Sequence, residues 1–317
     1  MISTRLAISL AAAVAVLGGC AALVDGRATR MEARAEAETP PVGQFVEVGG
    51  RRVHALVMGE GPDLVLIHGA GGNLRDFTMG IAQDLARDYR VTLLDRPGLG
   101  YSDPLPGDGV NVLLQADHLR AAADLLGVRN PIVLGHSYGG AVALAWALRD
   151  PSGPRGLVLV GAASMPFPGG LGAWYQVNAS ALGAATLSPL ITAFATDAQI
   201  DGSVAAVFAP DPAPPGYAGH IGARLTIRRD TMRRNARQVM GLKPNLIAME
   251  PNYPQLTLPV EILHGSNDTT VPPHIHAIPL SQRLPDARLT LIEGAGHMPH
   301  HIHPDLIRAA IDRLAAR

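Results

Sequence analysis

Six mainly apolar runs, separated by stretches with helical spacing, constrain this chain more than any other feature. They are DLVLIHG (63–69), RVTLLDRPG (90–98), PIVLG (131–135), RGLVLVG (155–161), PVEILHG (259–265) and ARLTLIEG (287–294). An unbroken apolar run that ends on a turn residue reads as a strand buried on both faces. Helical patterns fall among them, including FTMGIAQDLARDY, NVLLQADHLRAAADLLGV and the closing PDLIRAAIDRLAAR. Such alternation predicts an α/β fold, a mainly parallel sheet with helices on both faces. Ahead of it, QFVEV and RRVHALVMG alternate apolar and polar residues around Gly49-Gly50. That pattern predicts a hairpin of half-buried strands, making eight strands in all. The rhythm breaks between about Ala162 and Leu256, where prolines, glycines and short helical stretches replace strands. The segment is too long for a loop in a compact domain, so a mostly helical insertion is expected. The predicted organisation is a core over 44–161 and 257–317, interrupted by a lid over 162–256.

Ligands of an open parallel sheet bind at the carboxyl ends of its strands. At one such end stands Gly135-His136-Ser137-Tyr138-Gly139, a lone hydroxyl between an apolar run and a helical pattern. This fits the G-x-S-x-G nucleophile elbow, whose glycines relieve crowding so that the serine can hold strained backbone angles. A serine hydroxyl is a weak nucleophile and needs a base, and the base needs an orienting acid. His297 follows the last apolar run and Asp268 follows the one before it. Three strand ends thus deliver Ser137, Asp268 and His297 to one rim, in the chain order Ser, acid, His.

Five stretches in order, LIHGAGG (66–72), LLDRPGLGYSD (93–103), GHSYGG (135–140), LHGSNDTTVP (263–272) and GAGHMPH (294–300), make the chain similar to α/β-hydrolase-fold proteins of the large fold-1 group. The resemblance covers roughly Gln44 to Arg317. It implies an oxyanion hole made by the backbone N–H groups of Ala70 and Tyr138. It also implies structural roles for His68, Asp95 and Asp103, the last two shaping the pocket floor. His300, His301 and His303 cluster near His297, but no acidic or cysteine partner stands at metal-ligand spacing, so no metal is expected. No cofactor is expected either.

The start, MISTRLAISLAAAVAVLGGCAALV, carries Arg5, a short apolar run and the chain's single cysteine, Cys20. This has the layout of a secretory signal over residues 1–19. Leu17-Gly18-Gly19-Cys20 resembles the bacterial lipobox, which implies cleavage before Cys20 and a diacylglycerol on its thiol. Ala21 in the next position resembles lipoproteins sorted to the outer membrane of Gram-negative bacteria, facing the periplasm. An uncleaved anchor is the competing reading, although the run from Leu6 to Leu17 falls short of the roughly 20 residues of a spanning helix. So is an ordinary cleaved signal. Residues 20–43, alanine-rich and charged with Pro40-Pro41 near the end, read as a tether outside the core that can be helical in part.

Charges nearly cancel, at a formal net charge of −1, and aromatics make up 4% of the chain, which argues against a nucleic-acid partner. In the lid, Leu225, Met232 and Val239 form an apolar stripe with Arg229, Arg233 and Arg237 beside it. That reads as a solvated helix packing inward or as a surface that meets anionic lipid. Phe167, Trp174 and Tyr175 are candidates for lining the cleft. The expected activity is hydrolysis of a small ester-like substrate through an acyl-enzyme. Carbon–carbon bond hydrolysis, amide hydrolysis and cofactor-free peroxidase chemistry use a serine on the same fold. A ligand-binding module without catalysis is the alternative of a different class.

Overall fold

The structure, a computed structural model, describes residues 4–317. One sheet of eight strands runs in the order β1-β2-β4-β3-β5-β6-β7-β8. The strands are β1 (Gln44–Val48), β2 (Arg51–Met58), β3 (Asp63–Ile67), β4 (Arg90–Leu94), β5 (Ile132–His136), β6 (Gly156–Val160), β7 (Val260–Gly265) and β8 (Ala287–Ile292). The β1–β2 hairpin and the β2–β4 pair are antiparallel, and every other pair is parallel. All eight expected strands are therefore present.

Successive side chains point to opposite sides, and the runs at β3 to β7 are buried on both faces, whereas the run at the edge strand β8 is only partly covered, with Arg288 and Leu291 exposed. Val65, Ile67, Val133, Leu157 and Leu159 join one core with the helices Val112–Leu125 and Tyr138–Arg149. Leu64, Leu66, Ile132, Leu134, Val158 and Val160 join the other, closed by the helix Pro304–Ala315. The chain passes from β3 outward to β4 and then returns to β5 on the other side of β3. This reversal leaves the loops after β3 and β5 side by side, with Ile67 opposite Gly135. Such a switch point is where an α/β sheet opens a crevice.

Between β6 and β7 the described residues hold no strand. The segment is built from helices Ala173–Ala179, Ala181–Phe194, Asp197–Phe208 and Arg229–Met249, with shorter turns between them. The apolar stripe of the arginine-rich stretch packs inward, with Leu225, Met232 and Val239 all buried. Its arginines meet acids of the same chain. Arg233 and Arg237 reach Asp108, and Arg229 reaches Glu32 and Asp25. Within the chain these guanidinium groups already have carboxylate partners, which supports the inward-packing reading over the lipid-facing one.

The expectation of a tether over residues 20–43 needs correction. A single helix runs from Thr4 to Glu38 and lies along the insertion helix Ala181–Phe194. Ala28 and Ala35 are buried, and Arg27 Nε donates to the Ala193 carbonyl at 2.7 Å. Arg229 bonds Glu32 and Thr29, Arg228 pairs with Glu36 at 2.8 Å, and the Tyr101 hydroxyl donates to the Thr39 carbonyl. Alanines and long charged side chains suit a helix. The arginine-rich insertion supplies the opposite charge, and an isolated sequence window does not reveal it.

Candidate active site

Strand β5 ends in a turn that only a few sequences can make. Ser137 has φ 54° and ψ −119°, a left-handed conformation rarely held by a side-chain-bearing residue. A Cβ at Gly135 would stand 2.3 Å from the Gly139 carbonyl oxygen, and one at Gly139 would stand 2.2 Å from the Ile67 carbonyl oxygen. The turn therefore closes only with glycine at both places. It projects the Ser137 hydroxyl over the rim at the start of the helix Tyr138–Arg149.

The three residues expected from the sequence meet there. Ser137 Oγ lies 2.9 Å from His297 Nε2, and His297 Nδ1 lies 2.7 Å from Asp268 Oδ2. With the hydroxyl and Nδ1–H as donors, this forms one hydrogen-bonded line across the ends of β5, β7 and β8. All three residues are buried, with Ser137 8% exposed. Asp268 Oδ1 accepts from the backbone N–H groups of Thr270 and Val271 at 2.9 and 2.8 Å. Burial alone would raise its pKa. Hydrogen bonds from His264 and His297, the charge of His297 and the Val271 N–H outweigh burial and hold the carboxyl below its ordinary value. It is thus an anion at neutral pH.

Ala70 and Tyr138 stand in the adjoining loops after β3 and β5, where a Cβ at Gly69 would lie 3.0 Å from the Ser137 Cβ. The Tyr138 N–H is at the first helical position, where no intrahelical acceptor exists. Neither N–H has a protein backbone acceptor outside regular elements among the described residues. The loop that carries Ala70 is held from two sides. Gly71 N–H donates to Asn235 Oδ1 at 2.7 Å, and the Thr226 hydroxyl donates to the Gly71 carbonyl at 2.6 Å. From beneath, Arg96 donates from Nη1 to the Gly69 carbonyl at 3.0 Å and lays its guanidinium 3.7 Å from the Tyr138 ring centre. Arg96 is fully buried, and its other donors reach Gln115 and Gln238. Burial pushes its guanidinium down to about 10, so it still carries charge at neutral pH.

His68 lies under the same loop. Its Nδ1 bonds the Gly69 carbonyl at 2.9 Å, and its Nε2 accepts the Arg96 N–H at 2.9 Å. Burial lowers its pKa to about 4, so the ring is neutral. Asp95 accepts from His54, Leu74 N–H and Tyr101 N–H, and Asp103 pairs with Arg52.

The sequence offers the histidines near His297 no acid at ligand spacing, but the fold brings one. Asp76 accepts from Tyr217 at 2.6 Å, His301 at 2.9 Å and His300 at 3.1 Å. One nitrogen of each histidine and a carboxylate oxygen lie within 4.8 Å of one another. His303 is not among these partners. The three donors fill three of the roughly four lone-pair sites of the carboxylate. Burial would raise the Asp76 pKa, and His300 and His301 outweigh it and hold the carboxyl well below its ordinary value.

Sequence reasoning assigned no role to Arg96, His264, Asn235, Thr226 or Asp76. Arg96 and His264 stand inside recognised stretches, beside Asp95 and just before the Asp268 turn. The partners of Arg96 come from other segments, Gly69, Gln115 and Gln238, whereas His264 bonds the Val271 carbonyl seven residues on, at 2.6 Å. Of the three aromatic candidates, Phe167 and Tyr175 pack against the core, whereas Trp174 is 50% exposed.

Residues 62–304 match the family described as alpha/beta hydrolase fold. The chain is 31% identical over 285 residues to polyketide synthase ThaQ of Burkholderia thailandensis, a match that covers 83% of this chain and 12% of that much longer protein. It is 28% identical over 264 residues to the 2-hydroxymuconate semialdehyde hydrolase of Pseudomonas sp. (strain CF600), covering 82% of this chain and 88% of the relative. A solved bacterial membrane phospholipase A has the same fold, with a TM-score of 0.68 at 22% identity, and the match covers 99% of this chain and 100% of that one. The family match spans both halves of the core and the five stretches that carry the rim, and on that ground the chain belongs to the alpha/beta hydrolase fold family.

Proposed function

We propose that this chain is a serine hydrolase that cleaves carboxylic esters through an acyl-enzyme on Ser137. The observation that carries the reading is the unbroken line from Ser137 Oγ through His297 to Asp268. The Ser137 oxygen attacks the ester carbonyl carbon while its proton passes to His297 Nε2. Asp268 holds the Nδ1–H, so the base presents the correct nitrogen and its positive charge is balanced. The carbonyl electrons move to oxygen, and the N–H groups of Ala70 and Tyr138 receive that oxyanion. One such donor is typically worth about 10²–10³ in turnover. The intermediate collapses as the alcohol leaves with the proton from His297. Water, deprotonated by the same imidazole, then releases the acid and restores the serine.

A fluorophosphonate probe tests the assignment. It should label Ser137 in the purified enzyme, and labelling that persists in Ser137→Ala would refute it. A second reading, cleavage of a carbon–carbon bond next to a carbonyl, is favoured by the similarity to 2-hydroxymuconate semialdehyde hydrolases. Parallel assays on simple acyl esters and on a 2-hydroxy-6-oxo dienoate separate the two.

The enzyme is also proposed to be attached to a membrane through lipid on Cys20, whose side chain is exposed. Uptake of labelled palmitate that Cys20→Ser abolishes is the expected result. Membrane fractionation that survives Cys20→Ser, with residues 1–19 retained, would instead make the apolar run an anchor.

A further inference from the structure

The insertion exposes an apolar face beside the helix that carries Cys20. In a chain that is 17% charged, no charged side chain occurs between Arg155 and Asp197. That stretch contains the helices Ala173–Ala179 and Ala181–Phe194, which meet at 107°. On the second helix Leu182, Leu190 and Phe194 fall on one line at four-residue spacing, completed by Thr186. They are 74%, 45% and 53% exposed, and Trp174 on the first helix is half exposed. A soluble surface normally breaks such a patch with charge.

The N-terminal helix says what covers this face. Val16, Cys20, Leu23 and Arg27 follow one another at intervals of four, three and four residues, a single helical stripe. The stripe meets the insertion at Arg27, whose guanidinium lies 5.1 Å from the Phe194 ring centre. Cys20 stands two turns before Arg27, roughly 10 Å along the helix. Leu23, between them, is 75% exposed. Whether acyl chains on Cys20 or the preceding apolar run enters the bilayer, the same rigid helix holds Phe194 close to the headgroups. Arg27 is then placed to snorkel toward phosphate.

We infer that the insertion face formed by Trp174, Leu182, Leu190 and Phe194 docks on a phospholipid bilayer beside the attached N-terminal helix, so that acyl esters reach Ser137 from the membrane. This deepens the membrane attachment proposed above and rests on it. Trp174 is a built-in probe, since the chain's other tryptophan, Trp146, is buried against the sheet.

The test uses the full chain in vesicles of phosphatidylethanolamine and phosphatidylglycerol carrying dibrominated acyl chains. Tryptophan emission should shift to the blue and be quenched about twofold, and Trp174→Phe should remove the quenching. Leu190→Ser with Phe194→Ser should lower hydrolysis of a vesicle-embedded acyl ester about tenfold and leave that of a soluble short-chain ester unchanged. Protein that sediments with vesicles while Trp174 is unquenched overturns the docking face and leaves the attachment standing. Protein that does not sediment overturns both. Quenching without hydrolysis of any ester supports the face and refutes the esterase reading instead.

Discussion

The rim of the sheet and the junction between the N-terminal helix and the insertion are held together in opposite ways. At the rim, short backbone turns fix each side chain, and the glycines of the elbow admit no substitute because a Cβ would meet carbonyl oxygen at 2.2–2.3 Å. At the junction, helices are joined by long side chains. Arg228 and Arg229 reach Glu36, Glu32 and Asp25 across more than 190 residues of sequence. The first kind of contact tolerates almost no displacement. The second can be exchanged pair by pair at small cost. Chemistry that needs reacting atoms placed to a fraction of an ångström stands on the first kind.

That difference can be broken at the rim with the largest effect. Ser137→Ala and His297→Ala should each reduce kcat by about 10⁴-fold or more, and the double variant should lose little beyond either alone, because the two act as a unit. Asp268→Asn should lower kcat by about 10⁴-fold while the protein stays folded, because the amide favours the wrong tautomer of His297. Steady-state kinetics with thermal unfolding as the folding control check both. Near-normal turnover in Asp268→Asn would require another acid.

Arg96→Met sharpens the comparison from beneath the elbow. The change leaves the Gly69 carbonyl, Gln115 and Gln238 short of a buried donor, at roughly 1–3 kcal/mol each. It should lower both Tm and kcat with little change in KM. Unaltered kcat at reduced Tm would make Arg96 a support of the fold alone.

Acid should loosen the sheet's rim before it affects the junction. His68 Nε2 accepts the Arg96 N–H, and His276 Nδ1 accepts the N–H groups of Ser164 and Met165, roles that only the neutral ring can play. Burial lowers both pKa values to about 4. With folded values depressed below the ordinary 6.5, the unfolded chain binds protons first as pH falls. Stability from these rings is complete above about pH 6.5 and declines toward pH 4, on the order of 3 kcal/mol for each. Urea titrations across that window should show the loss, and His276→Asn should flatten it.

The smallest effect belongs to the junction. Glu32 and Glu36 are partly exposed, and an exposed ion pair is worth about 0–1 kcal/mol. Glu32→Gln with Glu36→Gln should shift Tm by a few degrees at most and leave turnover of a soluble ester unchanged. A large loss of turnover would show that the rim depends on the N-terminal helix.

What the sequence made legible follows the same division. The eight strands and the elbow were readable because each rests on residues within a few positions of one another, and Ser137, Asp268 and His297 because each stands in a short local stretch just past a strand, although their side chains meet across 29 and 160 residues of sequence. The packing of residues 20–38 against the insertion leaves no trace in their own sequence, because the partners Arg228 and Arg229 lie in another part of the chain. Asp76 escaped notice for a similar reason, since its donors are Tyr217, His300 and His301. A side chain that depends on distant segments and stands in no short local motif of its own leaves no pattern to find.

Asp76 has one more consequence, for how the molecule comes apart. Its carboxylate, on the helix Arg75–Thr78 after β3, gathers donors from the insertion and from the segment following His297, and Asp211 of the insertion accepts the Gly296 N–H at 2.7 Å. The insertion is therefore expected to have no independent unfolding transition at this corner. Releasing it strips the Tyr217 donor from a buried anion and takes the Asp211 acceptor from the loop that bears His297, so local opening there should be coupled to global melting. In native-state hydrogen exchange the amides of Gly296 and Tyr217 should open with a free energy close to that of the β5 and β7 amides.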